Sequence, residues 1–134
     1  MFLQRFFDEP LAQASFLVAD TVSHEAIVID PNRDVEVYLQ AAAAQKFKIV
    51  AVTETHIHAD YCSGTRELAQ RAGARAYLSD EGDADWKYAW GAEPNVTLVK
   101  DGSAIRAGQV RLDVMATPGH TPEHISFMLT DEAA

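Results

Sequence analysis

The 134-residue sequence has only one cysteine and no long apolar run. A single cysteine, Cys62, excludes an internal disulfide and is typical of a reducing compartment, so the sequence favours a cytoplasmic protein. The longest strictly apolar runs, such as residues 41–44 and 49–52, contain four residues, whereas a membrane-spanning helix needs about 20. The N-terminal segment reaches Asp8 and Glu9 without the long apolar stretch of a signal peptide. The sequence therefore predicts neither a membrane span nor a cleaved leader.

A surplus of positive charge is also missing. The chain has 11 Lys and Arg residues against 20 Asp and Glu residues, which gives a formal net charge of -9. A protein that holds nucleic acid through its phosphates needs basic side chains to displace counterions, so the charge argues against nucleic acid as a partner. It argues equally against a basic helix on a membrane surface. The length predicts one domain over residues 1–134.

Apolar periodicity predicts strands at both ends of the chain and helices between them. Residues 35–42 have helical spacing, with Asn32 or Asp34 as the predicted cap. A second helix is predicted to begin after Ser63, as its cap, and to end at Gly73. Strands are predicted at residues 2–7, 14–19, 26–29, 49–52, 74–78, 96–99, 110–115 and 125–129. This order predicts an α+β (α/β layered) sandwich and excludes a helix bundle.

Four of the five histidines occur in two short segments, of which the first reads Thr55-His56-Ile57-His58-Ala59-Asp60-Tyr61. This segment leaves the carboxyl end of a buried strand, where open α/β sheets usually place ligands. Alternate side chains of an extended segment point the same way, so His56, His58 and Asp60 are expected to project together. Ile57 and Ala59 would then turn into the protein. Two imidazoles and a carboxylate suit a divalent transition metal; the alternative is a hydrogen-bonded polar loop.

The second segment reads Thr117-Pro118-Gly119-His120-Thr121-Pro122-Glu123-His124. Its prolines lack backbone donors and its glycine allows unusual dihedral angles, which predicts a rigid loop at the end of a strand. Such a loop can supply His120 as a further ligand from a distant part of the chain. His120 and His124 have the spacing of helical zinc sites, but Pro122 opposes a regular helix. We therefore expect His124 to be structural or to support a ligand.

Other chemistries have less support. Cys62 precedes a predicted helix whose N-terminal field would favour a thiolate, but a lone cysteine is more often a small buried apolar residue. The remaining histidine, His24, is expected in an exposed turn. The sequence has no G-x-S-x-G nucleophile elbow, no Walker loop and no dinucleotide-binding glycine fingerprint. The residues alone thus predict a metal site and leave its reaction open.

Together the two segments resemble the metallo-β-lactamase fold superfamily, whose hallmarks are T-H-x-H-x-D-H and a later T-P-G-H-T loop. Three further segments are similar in sequence to the persulfide dioxygenase branch, including its fusions to rhodanese domains. They are Ala26-Ile27-Val28-Ile29-Asp30-Pro31, Thr53-Glu54-Thr55-His56 and Ser63-Gly64. The resemblance implies an αββα sandwich of the metallo-β-lactamase type. It also implies that this chain carries only the N-terminal half of that sandwich.

Tyr61 stands where the hydrolases of the superfamily have a histidine that helps to hold a second metal. A phenol titrates at about 10 and replaces a neutral imidazole poorly, so one metal is expected instead of two. In the persulfide dioxygenase branch that metal is Fe(II), held by the first His of H-x-H, the His of T-P-G-H and a later Asp. The resemblance thus implies His56 and His120 as ligands of Fe(II), with Zn as the alternative metal. His58, Asp60 and Tyr61 would surround the metal in catalytic roles.

The third ligand is not evident. In the family the ligand Asp lies beyond the strand that follows the T-P-G-H loop, and Asp131 is the only aspartate after His124. Residues 131–134 do not show the family's metal-binding sequence, so the ligand set of this chain is expected to be incomplete. A half sandwich would also leave an apolar sheet face uncovered, which invites association with another chain. We therefore expect a homo-oligomer or pairing with a complementary fragment.

The resemblance implies an enzyme that oxidises a low-molecular-weight persulfide, such as glutathione persulfide, with O2 to sulfite and the thiol. Two imidazoles and one carboxylate would leave positions on iron for O2 and substrate. One alternative is a zinc thioester hydrolase of the glyoxalase II kind, against which Tyr61 counts. A second is a non-catalytic remnant or assembly module, which the incomplete ligand set favours.

Overall fold

A computed structural model describes all residues, Met1–Ala134. The chain forms two helices, α1 (Glu36–Ala44) and α2 (Thr65–Ala72). The strands are β1 (Phe2–Asp8), β2 (Gln13–Ala19), β3 (Glu25–Ile29), β4 (Lys48–Thr53), β5 (Arg75–Ser79), β6 (Val96–Val99), β7 (Ala104–Ala107), β8 (Val110–Ala116) and β9 (Ile125–Asp131). Neither helix is long and apolar enough to cross a membrane.

The strands form two sheets. The larger sheet has the order β1-β2-β3-β4-β5-β6 and the smaller one the order β7-β8-β9. Strands β1 to β3 are antiparallel, whereas β3 to β6 run parallel to one another. The carboxyl ends of β3, β4 and β5 therefore meet at one edge of the larger sheet. That edge is where the histidine segments are found.

The larger sheet is buried on both faces because successive residues of a strand point to opposite sides. Val28 and Val52 lie in one apolar cluster, together with Leu68 from α2. Ile27 and Ala51, their neighbours along the same strands, belong to a second cluster that holds the smaller sheet. Burying a leucine such as Leu68 contributes about 1.5–3 kcal/mol. The two clusters stack helices, larger sheet and smaller sheet in three layers.

This three-layer arrangement is the α, β and β part of the predicted αββα sandwich, so the predicted fold class is confirmed. Both helices of the chain pack on the larger sheet. The outer face of the smaller sheet carries no helix from this chain. The structure thus has the layers expected of an N-terminal half.

The predicted cap of α1 is wrong, although both helices lie where expected. The residue that caps α1 is Val35, which makes no side-chain cap; Asn32 instead accepts a hydrogen bond from the backbone of Asp34 (2.9 Å). At the start of α2, Gly64 already has helical dihedral angles, and the predicted cap, Ser63, accepts a hydrogen bond through its hydroxyl from the backbone N–H of Thr65 (3.1 Å). The predicted end of α2 at Gly73 is confirmed, since Gly73 has the left-handed conformation with φ of 64°.

Candidate metal centre

The sheet topology brings two remote segments to one edge. The segment from Glu54 to Gly64 follows β4, and the segment from Thr117 to His124 connects β8 to β9. The backbone N–H of Ile125 donates to the carbonyl of Thr55 over 2.8 Å, which joins the start of β9 to the first segment. The two histidine pairs therefore face each other across this junction.

Four imidazole rings cluster there. The ring centre of His56 lies 4.1 Å from that of His58, 4.7 Å from that of His120 and 4.9 Å from that of His124. The structure thus brings together His56 and His120, which are far apart in sequence. The remaining histidine, His24, is exposed and packs against Phe47 with ring centres 5.9 Å apart, so it lies outside the cluster as expected.

Asp30 organises the first histidine pair, a role that the sequence analysis missed. Its Oδ1 accepts hydrogen bonds from the Thr55 backbone N–H (2.7 Å) and pairs with Nε2 of His58 (3.0 Å). Its Oδ2 accepts from the Thr55 hydroxyl (2.9 Å). A carboxylate bound to one ring nitrogen fixes the imidazole and leaves the other nitrogen, here Nδ1 of His58, free. The signal available in the sequence was the position of Asp30 directly after β3, the parallel neighbour of β4.

The hydrogen bonds also define the state of His56. The only hydroxyl hydrogen of Thr55 is donated to Asp30, so the Thr55 oxygen accepts from Nδ1–H of His56 over 2.8 Å. Nε2 of His56 then carries a free lone pair. Burial, with a further contribution from neighbouring His58, lowers the pKa of His56 to about 4. Neutral imidazole with one free nitrogen is the form that binds a metal.

His58 is shifted in the opposite direction. Burial by itself would lower its pKa, but the hydrogen bond and charge of Asp30, with smaller contributions from Glu54 and Asp60, raise it. Asp60 is exposed and acts on His58 through its charge. The expected inward turn of Ala59 is wrong, because Ala59 is exposed. The segment bends where extended backbone was expected, since its backbone amides are held by carboxylates from other elements.

Tyr61 packs against His58 with ring centres 4.4 Å apart. Its hydroxyl oxygen accepts a hydrogen bond from Nε2 of Gln13 (3.3 Å). Burial, reinforced by the charge of Asp30, raises the pKa of the phenol. A phenol held protonated in this way supports an imidazole ring and is a poor metal ligand.

Cys62 is exposed, so the expectation of a small buried apolar residue is wrong. Its only polar contact is a long one, 4.0 Å, to the carbonyl of Ser63. No neighbouring base is in contact with the thiol to activate it as a nucleophile.

The chemistry of the histidine donors fits a metal ion, although no three His, Cys, Asp or Glu side chains are already arranged to hold one. His56 offers a free Nε2, His58 is fixed by Asp30, and the ring of His120 adjoins that of His56. Asp131 is not near them. It is the last residue of β9, and its carboxylate binds the amino group of Met1 at 3.2 Å. At about 3.3 Å per residue, Asp131 lies some 20 Å along the strand from its histidine end.

A cavity of about 350 Å³ adjoins the cluster on the side of His58. Buried Glu54 lines this cavity and accepts a hydrogen bond from the Tyr88 hydroxyl (3.2 Å). Burial raises the pKa of Glu54. The cavity combines acidic, basic and aromatic side chains and is lined by Glu54, Ile57, His58, Ser63, Arg66, Lys87, Tyr88, Ala89 and Trp90.

Two stacked sheets with histidines from two loops at one sheet edge define a class of protein: a layered α/β protein with a histidine cluster at its strand ends. The comparison with family models gives the particular family. The chain belongs to the metallo-beta-lactamase superfamily, whose model matches residues 8–132. Proteins of this superfamily bind metal ions.

Curated relatives include two kinds of enzyme. The "Hydroxyacylglutathione hydrolase" of Francisella tularensis subsp. novicida is 34% identical over 130 residues, which cover 96% of this chain and 47% of that protein. The mitochondrial persulfide dioxygenase ETHE1 of Bos taurus is 27% identical over 139 residues, which cover 98% of this chain and 49% of that protein. The chain spans about half the length of each.

Solved structures show the same fold. A metallo-beta-lactamase from Staphylococcus aureus subsp. aureus COL matches with a TM-score of 0.94 and 41% identity, over 99% of this chain and 39% of that chain. ETHE1 from Myxococcus xanthus matches with a TM-score of 0.82 and 32% identity, over 96% of this chain and 54% of that chain. The chain thus corresponds to part of larger proteins with this fold.

Proposed function

We propose that this chain carries the histidine half of an enzyme that oxidises low-molecular-weight persulfides, such as glutathione persulfide, at a single Fe(II). The overall reaction consumes one persulfide, one O2 and one water, and it releases one thiol, one sulfite and two protons. The outer sulfur of the persulfide is oxidised and O2 is reduced. Similarity to persulfide dioxygenases at 27% identity and to the ETHE1 fold supports the proposal.

The observation that carries the proposal is the environment of Tyr61. The position that follows Asp60 would have to hold a ligand for a second metal in a two-metal hydrolase. Here it holds a phenol that packs on His58 and is hydrogen-bonded to Gln13. The donors that remain available favour one metal, and a mononuclear site with open positions is typical of iron oxygenases.

In this proposal His56 and His120 hold the metal, and Asp30 fixes the neighbouring imidazole of His58. When bound, Fe(II) supplies the redox chemistry that joins O2 to the sulfur. His58 has Nε2 engaged by Asp30, so Nδ1 is the atom that accepts a proton released near the metal. Exposed Asp60 favours that protonation through its charge.

The second candidate is a zinc-dependent thioester hydrolase of the glyoxalase II kind. The 34% identity to a hydroxyacylglutathione hydrolase favours it. The Tyr61 environment counts against it, because a hydrolase of that kind uses two metals. A third candidate, a non-catalytic remnant, is favoured by the position of Asp131 at the far end of β9.

The experiment is anaerobic reconstitution with Fe(II) or Zn(II) of the longest available form of the protein. Glutathione persulfide with O2, or a glutathione thioester in a parallel assay, is then supplied, and sulfite formation, oxygen consumption and thioester hydrolysis are measured. The proposal predicts sulfite formation with oxygen uptake for the iron form only. Thioester hydrolysis by the zinc form at least as fast as by the iron form, without oxygen uptake, would establish the hydrolase. Intact folding with near-zero metal per chain would establish the remnant.

A further inference from the structure

Glu123 lies between His120 and His124 in sequence and is completely buried. Its Oε1 accepts a hydrogen bond from the backbone N–H of Ile57 over 2.6 Å, and another from the hydroxyl of Thr121 over 3.0 Å. We infer that Glu123 is a positioning residue that fixes the two histidine-bearing segments relative to each other. The inference rests on the proposed function only in that the histidines are taken to bind a metal.

The contact to Ile57 has a specific consequence. Ile57 is the residue between His56 and His58, so its amide position sets the direction of both imidazoles. Thr121 directly follows His120. A single carboxylate oxygen therefore joins the backbone of one histidine pair to the loop that presents the other, across 66 residues of sequence.

The rest of the Glu123 residue is held independently of its carboxylate. Its backbone carbonyl accepts a hydrogen bond from the Ser79 hydroxyl over 2.6 Å. The Ile125 N–H to Thr55 carbonyl bond also joins the segments through backbone atoms alone. Removing the carboxylate should thus free the Ile57 amide while the two segments stay connected.

The second carboxylate oxygen shows that the residue is not there for packing. Oε2 of Glu123 is buried and has no hydrogen-bond partner. Leaving a buried polar atom unpaired costs free energy, which an apolar side chain of the same size would avoid. The contact of Oε1 with the Ile57 amide accounts for a carboxylate at this position.

The experiment compares Glu123→Ala with Glu123→Gln, since glutamine keeps an acceptor oxygen for Ile57. Asp20→Asn is the matched control, because Asp20 is a buried acid that also accepts backbone hydrogen bonds, from Val22 and Gln109, and lies in neither histidine segment. Each protein is titrated with cobalt(II), followed by its visible absorption spectrum. Amide hydrogen exchange at Ile57 is measured without metal, and thermal unfolding reports stability.

We expect Glu123→Ala to weaken cobalt(II) binding about 10- to 100-fold, as is usual when a group that orients ligands is removed. Exchange at Ile57 should accelerate in the same variant. Glu123→Gln should restore both properties, and Asp20→Asn should lose stability without a change in the cobalt(II) spectrum or affinity.

Three results would overturn the inference: an Ile57 amide that is unprotected in the wild type, unchanged exchange in Glu123→Ala, or an equal loss of affinity in Asp20→Asn. A wild-type protein that binds no cobalt(II) would count against the proposed function. Exchange at Ile57 then decides the role of Glu123 by itself.

Discussion

At the scale of single residues, the candidate site depends on two carboxylates that bind backbone and ring N–H groups. Asp30 holds Thr55 and His58, and Glu123 holds Ile57. The sequence identified the histidines as candidate metal ligands because their spacing within each segment is local. It did not mark the carboxylates, since Asp30 and Thr55 are 25 residues apart and Glu123 and Ile57 are 66 residues apart. Their roles follow from strand order, which local patterns do not determine.

The first prediction concerns Asp30. Asparagine tolerates the φ of 52° found at this position but lacks the negative charge that pairs with His58. Asp30→Asn should therefore weaken cobalt(II) binding by about tenfold or more, measured by spectroscopic titration. Asp60→Asn is the control, because Asp60 is exposed and should change affinity much less. Equal losses in the two variants would show that charge alone, and not the orientation of His58, controls binding.

The second prediction is a pH dependence from Asp20. Hydrogen bonds from the backbone of Val22 and of Gln109 lower the pKa of Asp20 from 3.8 to about 2. Because the folded pKa is below the unfolded one, its stabilising contribution is complete above about pH 4 and disappears as pH falls toward 2. The difference in free energy of unfolding between wild type and Asp20→Asn should shrink over that range. Urea unfolding between pH 6 and pH 2 tests this, and a pH-independent difference would contradict it.

At the scale of elements, most strands and the start of α2 were predictable, while the loop after β4 and the start of α1 were not. Strands such as β4 are apolar and β-branched, which identifies them locally. Strand β7, with the sequence AIRA, was missed because four alternating residues give too short a pattern. The segment after β4 was expected to be extended and instead bends, since Asp30 and Glu123 bind its amides. Contacts between distant elements, not local propensity, decide its shape.

The third prediction concerns the two ends of α2. A Cβ at Gly64 would lie 2.0 Å from the backbone oxygen of Asn32, whereas a Cβ at Gly73 would contact nothing within 4 Å. Gly73→Ala should cost about 1–2 kcal/mol, the strain of a left-handed conformation. Gly64→Ala should cost about 3 kcal/mol because backbone has to move. Denaturant unfolding measures both, and a larger loss at Gly73 would contradict the packing described for the start of α2.

At the scale of the whole molecule, one side of the three-layer structure exposes unpaired strand edges and an apolar cleft. Strand β9 is an edge of the smaller sheet, and β1 is an edge of the larger one. Between them lies an apolar cleft of about 340 Å³ whose lining includes Phe16, Ile29 and Phe127. Leu3 beside it is 54% exposed. Unpaired strand edges beside exposed apolar side chains favour pairing with another chain.

The fourth prediction follows from this open side. We propose that the 134-residue chain pairs with a second copy or with a complementary fragment. Light scattering over a range of concentrations should show a dimer or larger species of the isolated chain. Leu3→Lys should weaken that association, while Val37→Lys, at an exposed valine on helix α1 and on no sheet edge, should not. A well-folded monomer at high concentration would contradict the proposal.

The central claim is that His56 and His120, whose ring centres lie 4.7 Å apart, bind one metal ion together. Its most direct test is an anaerobic titration with cobalt(II), a spectroscopic substitute for Fe(II), of the wild type, His56→Ala, His120→Ala and His24→Ala. The account predicts one ion per chain in the wild type and in His24→Ala, with strong loss of binding in each of the other two variants. Binding that survives both His56→Ala and His120→Ala, or a wild type that binds no ion, would contradict it.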